Sequence, residues 1–135
     1  MIDIESAVIS TVSKALREVY GKDIYITGEI ISGVPSRFPA VCVREASNLI
    51  YTKSRDENIE NHNSVLYEAD VFSNLEEGKK QQTKEIAGMI DSVFCTLGFT
   101  RTFCESVENT SDAAIYRIKL RFTGVVDKQY RIYRN

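Results

Sequence analysis

The sequence predicts an α+β fold: an antiparallel sheet with two helices packed on one face, in a single domain spanning residues 1–135. Three observations predict it. Two stretches, 3–20 and 79–97, repeat apolar residues at the helical period. A third, 114–123, alternates apolar with mostly basic residues, as a strand with one solvated face requires. Between them lie short β-branched runs separated by glycine, proline and asparagine.

Along the first helix, Ile4, Val8, Val12, Leu16 and Val19 form one apolar face, with Ala7 and Ala15 beside it. Asp3 can cap its start, and Gly21 suits the left-handed position just past its end. Residues 24–31 are too short for a helix and rich in β-branched side chains, so they read as a strand. Ser32 to Pro39 is a turn region holding both prolines, and 40–46 is a second strand.

Residues 47–64 carry many asparagines and serines and predict an exposed loop or hairpin. Residues 50–64 are expected to be poorly ordered in the free subunit, although Leu49 to Thr52 has strand character and a projecting hairpin also fits. In 65–73, Val65, Tyr67, Ala69 and Val71 alternate with Leu66, Glu68, Asp70 and Phe72; the first set reads as the core side and the second as exposed. The second helix buries Ile86, Ile90, Val93, Phe94 and Leu97, and Gly98 stops it. Phe99 to Val107 is a further strand, followed by a polar turn at 108–112. In the long strand that follows, Ala114, Tyr116, Ile118, Leu120 and Phe122 form the apolar face, and Ile115, Arg117, Lys119, Arg121 and Thr123 the other. Tyr130 to Tyr133 adds a short last strand.

Composition excludes several functions. With a net charge of -2, the molecule as a whole has no electrostatic pull on nucleic acid. No apolar run approaches the roughly 18 residues of a membrane span. The acidic start, with Asp3 and Glu5, lacks the apolar core of a secretion signal. The three cysteines, Cys42, Cys95 and Cys104, have no framework spacing and read as reduced thiols filling small apolar sites. With His62 the only histidine, the tight ligand spacing of a zinc site is missing.

Gly78-Lys79-Lys80 precedes a helix, but one glycine does not make a phosphate loop, and a turn with a helix start explains it. Glu68 and Asp70 share a strand face that reads as solvated or interfacial, and His62 reads as a solvated loop residue beside Asn61 and Asn63. The expectation is therefore no catalytic residue, no cofactor and no metal.

Charge is unevenly spread. From Lys53 to Glu77 there are seven acids (Asp56, Glu57, Glu60, Glu68, Asp70, Glu76, Glu77) against Lys53 and Arg55. From Ala113 to Asn135 there are six bases (Arg117, Lys119, Arg121, Lys128, Arg131, Arg134) against Asp127. Two readings stand side by side. Opposite charges pair across adjacent strands of one sheet, or the acidic region of one subunit meets the basic region of the next, a head-to-tail contact that closes into a ring. On the second reading the candidate subunit interface is Glu68, Asp70, Glu76, Glu77, Arg117, Lys119, Arg121, Lys128, Arg131 and Arg134. A nucleic-acid face would want aromatics among the bases, and Tyr116 and Phe122 point the other way.

Tyr67, Asp70, Val71 and Phe72 in one strand, Leu97-Gly98-Phe99 at a helix end, Tyr116-Arg117 in a strand, and Val126, Asp127, Ile132 and Tyr133 near the C-terminus form an ordered set of motifs. In this set the chain resembles the small tail-terminator and head-tail joining (tail completion) proteins of tailed bacteriophages, prophages and phage-tail-like particles, most strongly from Ser64 to Arg134. The resemblance implies a non-enzymatic structural protein of the virion tail, assembled in the bacterial host cytoplasm. It implies a homo-oligomeric ring, typically a hexamer, that caps the finished tail tube, and the sheath where the tail is contractile. Its partners would be the tail tube protein, the sheath protein and the head-tail connector, with DNA passing through the lumen without sequence recognition and no membrane contact. Tyr51, Lys53, Arg55, Asp56 and Glu57 are the candidate partner-docking loop. The motifs also fit stoppers and adaptors of the same connector. A small enzyme and a monomeric binding module stay open; a pocket with convergent ionisable groups marks the first, and solution mass the second.

Overall fold

The computed structural model describes residues 1–50, 62–108 and 112–134. In chain order the elements are α1 (Glu5–Tyr20), a short 3-10 turn (Gly21–Asp23), β1 (Tyr25–Thr27), β2 (Ala40–Ile50), β3 (His62–Ser73), α2 (Lys79–Leu97), β4 (Thr100–Val107), β5 (Tyr116–Asp127) and β6 (Ile132–Tyr133). The fold is α+β. The strands form one six-stranded sheet in the order β1-β2-β3-β5-β4, with β6 paired to β5. All pairings are antiparallel except β1 with β2, which is parallel, so the sheet is mixed rather than purely antiparallel.

Each helix forms where its periodicity predicts. The Asp3 carboxylate accepts the Glu5 amide at 3.0 Å in a local turn at the start of α1, but the cap residue is Ile4, with no side-chain cap bond, rather than Asp3 as expected; α1 buries Val8, Val12 and Leu16. Val19 does not join them; it is 64% exposed, and the half-buried Tyr20 packs on the core instead. In α2, Ile86, Ile90 and Phe94 are fully buried and Val93 and Leu97 half-buried, with Thr83 and Ala87 lengthening the stripe. Gly98 ends it with φ 109°, donating its amide to Phe94 and Cys95 carbonyls. A Cβ there would lie 3.0 Å from the Ile132 carbonyl oxygen, so glycine is required on two grounds.

The apolar residues of both helices share one core with Val41 and Val43 of β2, Val65, Tyr67, Ala69 and Val71 of β3, and Ile118, Leu120 and Phe122 of β5. At its centre Phe94 stacks on Phe122 with centroids 4.1 Å apart, and Phe99 meets Phe94 and Tyr67 edge-on at 5.2 and 5.4 Å.

Three further expectations change. The strand expected over 24–31 stops at Thr27, because the Thr27 hydroxyl accepts the Glu29 amide in a local turn and the chain leaves the sheet. The polar segment 47–64 is strand at both ends: β2 runs on to Ile50 and β3 starts at His62, paired from Ala40 with Phe72 to Ile50 with Asn63. That is the hairpin alternative rather than a loop at those positions, and Asn63 is buried there, its side-chain amide donating to the Asn48 side-chain oxygen. Residues 51–61, on which the rest of the loop expectation falls, lie outside the described residues. Finally, Tyr116 is only half-buried, whereas Ile115, expected to face away, is buried with Ala40 and Phe72 in a second small cluster.

Candidate functional site

Side chains on the sheet face away from the main core come into register in rows. Arg44, Glu68 and Arg121 are neighbours across β2, β3 and β5; Cys42, Asp70 and Lys119 form the next row, and Ala40, Phe72 and Arg117 the third. The Glu68 carboxylate accepts from Arg44 Nη2 at 2.6 Å and Arg121 Nε at 3.1 Å, with Lys119 Nζ at 3.4 Å. Asp70 Oδ1 accepts from Arg117 Nη2 at 2.9 Å and Nε at 3.0 Å. The two guanidinium groups also lie over rings, Arg121 over Phe103 at 4.8 Å and Arg117 over Phe72 at 5.1 Å.

This corrects the expected exposure of that face. Glu68 and Asp70 are 7% and 8% exposed. For Glu68, Asp70, Arg117, Lys119 and Arg121, the charges that read as either intra-sheet pairs or subunit contacts are paired inside the sheet. Burial alone would raise the Glu68 pKa, but the Arg121 hydrogen bond and the Lys119, Arg44 and Arg121 charges outweigh it and hold it below the usual carboxylate range. In the same face the Cys42 thiol donates to the Glu29 carbonyl, and burial, with the Asp70 charge, pushes its pKa up to about 11. Of the three cysteines only Cys42 is the buried filler expected; Cys95 is half-buried and Cys104 exposed.

The C-terminal end is tied by Asp127. Burial would raise its pKa, yet amides of Arg131 and Gln129, the Tyr133 hydroxyl and the Arg131 guanidinium all donate to its carboxylate and keep it low. His62, expected to be solvated, instead begins β3 with its ring 6.1 Å from that of Tyr133 and its Nδ1 buried without a partner. Arg134 donates to the Cys95 carbonyl, and Lys128 is exposed.

Beside the helix the sheet is open. In β4, Thr102, Cys104 and Ser106 are all exposed. A cleft of about 420 Å³ results, walled by Lys80, Lys84, Ala87 and Gly88 of α2 and floored by Cys104, Ser106, Ile118 and Leu120. Arg101 and Glu105 stand at its rim, and Arg101 also reaches Asp91 at 3.4 Å. Before α2 the chain makes an exposed turn, Asn74-Leu75-Glu76-Glu77, in which Leu75 is 43% exposed. Gly78, at φ 86°, closes that turn, and Lys79 Nζ donates to the Ala114 carbonyl. Gly78-Lys79-Lys80 is thus a turn and a helix start.

Of the candidate interface, Glu76, Glu77 and Lys128 remain exposed and Arg131 projects beyond its bond to Asp127. The docking-loop residues Tyr51, Lys53, Arg55, Asp56 and Glu57 lie outside the described residues. Sequence reading missed the cleft residues Lys80, Lys84, Arg101 and Cys104, and the exposed Leu75 between polar neighbours. Helical period would have put Lys80 and Lys84 together, but only the strand order places β4 beside them. Among the described residues no group of three or more His, Cys, Asp and Glu could hold a metal ion, and no helix is long and apolar enough to cross a membrane.

No family model matches the chain, and no curated protein matches its sequence.

Proposed function

We propose that this chain is a structural protein of a phage or phage-like tail: a tail terminator whose subunits form a ring, of six copies, that caps the tail tube and joins it to the head connector. One observation carries the reading. The motif residues that prompted it are scattered over the sequence, yet they meet in pairs. Asp70 of the Asp-Val-Phe strand binds Arg117 of the Tyr-Arg strand. Tyr67 packs edge-on against Phe99 of the Leu-Gly-Phe helix end. Asp127 accepts the Tyr133 hydroxyl, and Val126 pairs with Ile132 across β5 and β6. Residues matched one by one thus act as one framework, which supports treating the resemblance as a whole rather than as short coincidences.

The framework has a consequence for roles. The matching residues hold the subunit together, so the surfaces that meet the tube, the sheath, the connector and passing DNA lie elsewhere on it. The purified protein tests the reading. Negative-stain electron microscopy should show rings, and adding the protein to polymerising tail tube protein should stop elongation at a capped end. Particles with no ring at any concentration, together with tubes that lengthen unchanged, would overturn it.

A further inference from the structure

We infer that the ring is built by a second copy of this chain placing the turn Asn74-Leu75-Glu76-Glu77 into the cleft between α2 and β4. The inference rests on the ring proposed above and names the two surfaces that make it.

The cleft is a place where the fold stops short. Thr102, Cys104 and Ser106 of β4 have no layer over them, so they are exposed although their strand is part of the sheet. Its floor includes Ile118 and Leu120, and its helix wall ends in Ala87 and Gly88, whose small size keeps it open. A Cβ added at Gly88 would meet nothing within 4 Å. Lys80, Lys84 and Arg101 stand around it with Glu105 the one acid in its lining, and Arg101 is paired with Asp91, so the two lysines supply its positive edge.

The turn has the complementary chemistry. Leu75 is 43% exposed, and Glu76 and Glu77 follow it with no base between Asn74 and Gly78. An exposed apolar side chain followed by two carboxylates suits a cleft of mixed polar and apolar lining beside the ammonium groups of Lys80 and Lys84. Such pairing of potentials favours one partner and one orientation.

The geometry of the two patches decides the assembly. No residue of the turn lines the cleft, so the contact uses two different surfaces of the same molecule. That makes it heterologous. Each copy offers a turn to one neighbour and a cleft to the other, and such contacts close into a ring when the rotation permits.

A native cysteine allows a direct test. Cys104 lies in the cleft and is exposed. In the Leu75→Cys variant, the oxidant diamide should remove two electrons and two protons from the paired thiols, joining residue 75 of one copy to Cys104 of the next. Denaturing gels should then show a ladder ending at the ring number, absent in wild type and lost when Cys104→Ser is added. Separately, Glu76→Lys with Glu77→Lys, and Lys80→Glu with Lys84→Glu, should each raise the concentration needed for ring formation by roughly tenfold or more. The two pairs combined should restore it. All six altered side chains lie outside the main core, and unchanged far-ultraviolet dichroism would show the subunit folded. Rings that form without this crosslink, or a ladder that survives loss of Cys104, would overturn this interface and leave the proposed function standing. A protein that stays monomeric alone and at tube ends would overturn both.

Discussion

Glu68→Gln removes one negative charge from the sheet face and leaves Arg44, Lys119 and Arg121 facing one another. The size of the loss follows from exposure. Breaking a buried ion pair costs about 3–5 kcal/mol, and an exposed pair contributes about 0.2–1 kcal/mol. The Glu68 side chain is 9% exposed, but Arg44, Lys119 and Arg121 are 27%, 22% and 43% exposed, so water screens part of the repulsion left behind. That places the loss between the two regimes, at about 2 kcal/mol. For 135 residues the unfolding entropy is roughly 0.28 kcal/mol per kelvin near 60 °C, so the melting temperature should fall by about 7 °C at pH 7.

Two dependences separate this mechanism from a packing defect. The folded pKa of Glu68 is lowered, so its stabilisation is present above the unfolded value of about 4.3 and is lost as pH falls through the folded value. The gap between wild type and variant should therefore be full at pH 7 and close in stronger acid. Near 1 M salt, where the Debye length is about 3 Å, the repulsion among the three bases is screened and the gap should narrow. Glu105→Gln, on the exposed edge strand, is the control and should stay within about 0.5 kcal/mol of wild type. Calorimetric melts of both variants across pH and salt give the answer. A Glu68→Gln melting temperature equal to wild type would mean that desolvation of the carboxylate cancels its attraction to the three bases, and the network would then contribute no stability.

Ile90→Ala and Leu120→Ala, both at fully or almost fully buried positions in the main core, should each lose about 2–5 kcal/mol in denaturant titrations; under half a kcal/mol at both would mean the core is assigned wrongly. Alkylation followed by mass spectrometry at pH 8 should label Cys104 quickly and Cys42 slowly, because Cys42 is 2% exposed and its pKa stands at about 11. Burial, then the Asp3 and Glu5 charges, raises the Glu45 pKa, so the folded state favours its protonated form and ionisation at neutral pH opposes folding. Glu45→Gln should therefore raise the melting temperature at pH 7, with the gain vanishing below the unfolded pKa; a loss at pH 7 would refute the sign.

The legible part of the fold was the part governed by period. Ile86, Ile90 and Phe94 lie four residues apart, and Val65, Tyr67, Ala69 and Val71 two apart, and all are buried. Gly21 and Gly98 marked both helix ends because each takes a positive φ, 67° and 109°, which glycine adopts at little cost. What period could not convey was decided by partners. The Glu29 carbonyl accepts the Cys42 thiol, and the Ala40, Phe72 and Ile115 cluster gathers Tyr25, Ile31 and Phe38, so a face that reads as solvated is partly covered. Val19 reads in phase with the helix stripe, but the stripe runs in four-residue steps through Leu16 to Tyr20, which packs on the core, and Val19 is left 64% exposed. The parallel pairing of β1 was hidden as well, since Tyr25 to Thr27 carries no mark of strand direction.

The opposite charges of the two sequence segments show how a correct sequence observation divides between fold and assembly. The sum over a segment counts every acid alike, whereas the fold sorts them by register. Glu68 and Asp70 sit opposite Arg121 and Lys119 across β3 and β5, and their charge is neutralised within the subunit. Glu76 and Glu77, only a few residues on, fall after the strand has ended and keep their charge exposed. The same sorting separates two experiments that look alike on the sequence. Reversing Lys119 and Arg121 to glutamate places two further acids beside Glu68 and Asp70 and strikes the subunit's own stability, so failure to assemble would follow from unfolding. Reversing Lys80 and Lys84 changes a surface that nothing in the subunit's main core depends on. A ring held by the cleft should therefore lose assembly at Lys80 and Lys84 with its melting temperature intact, and lose its melting temperature first at Lys119 and Arg121.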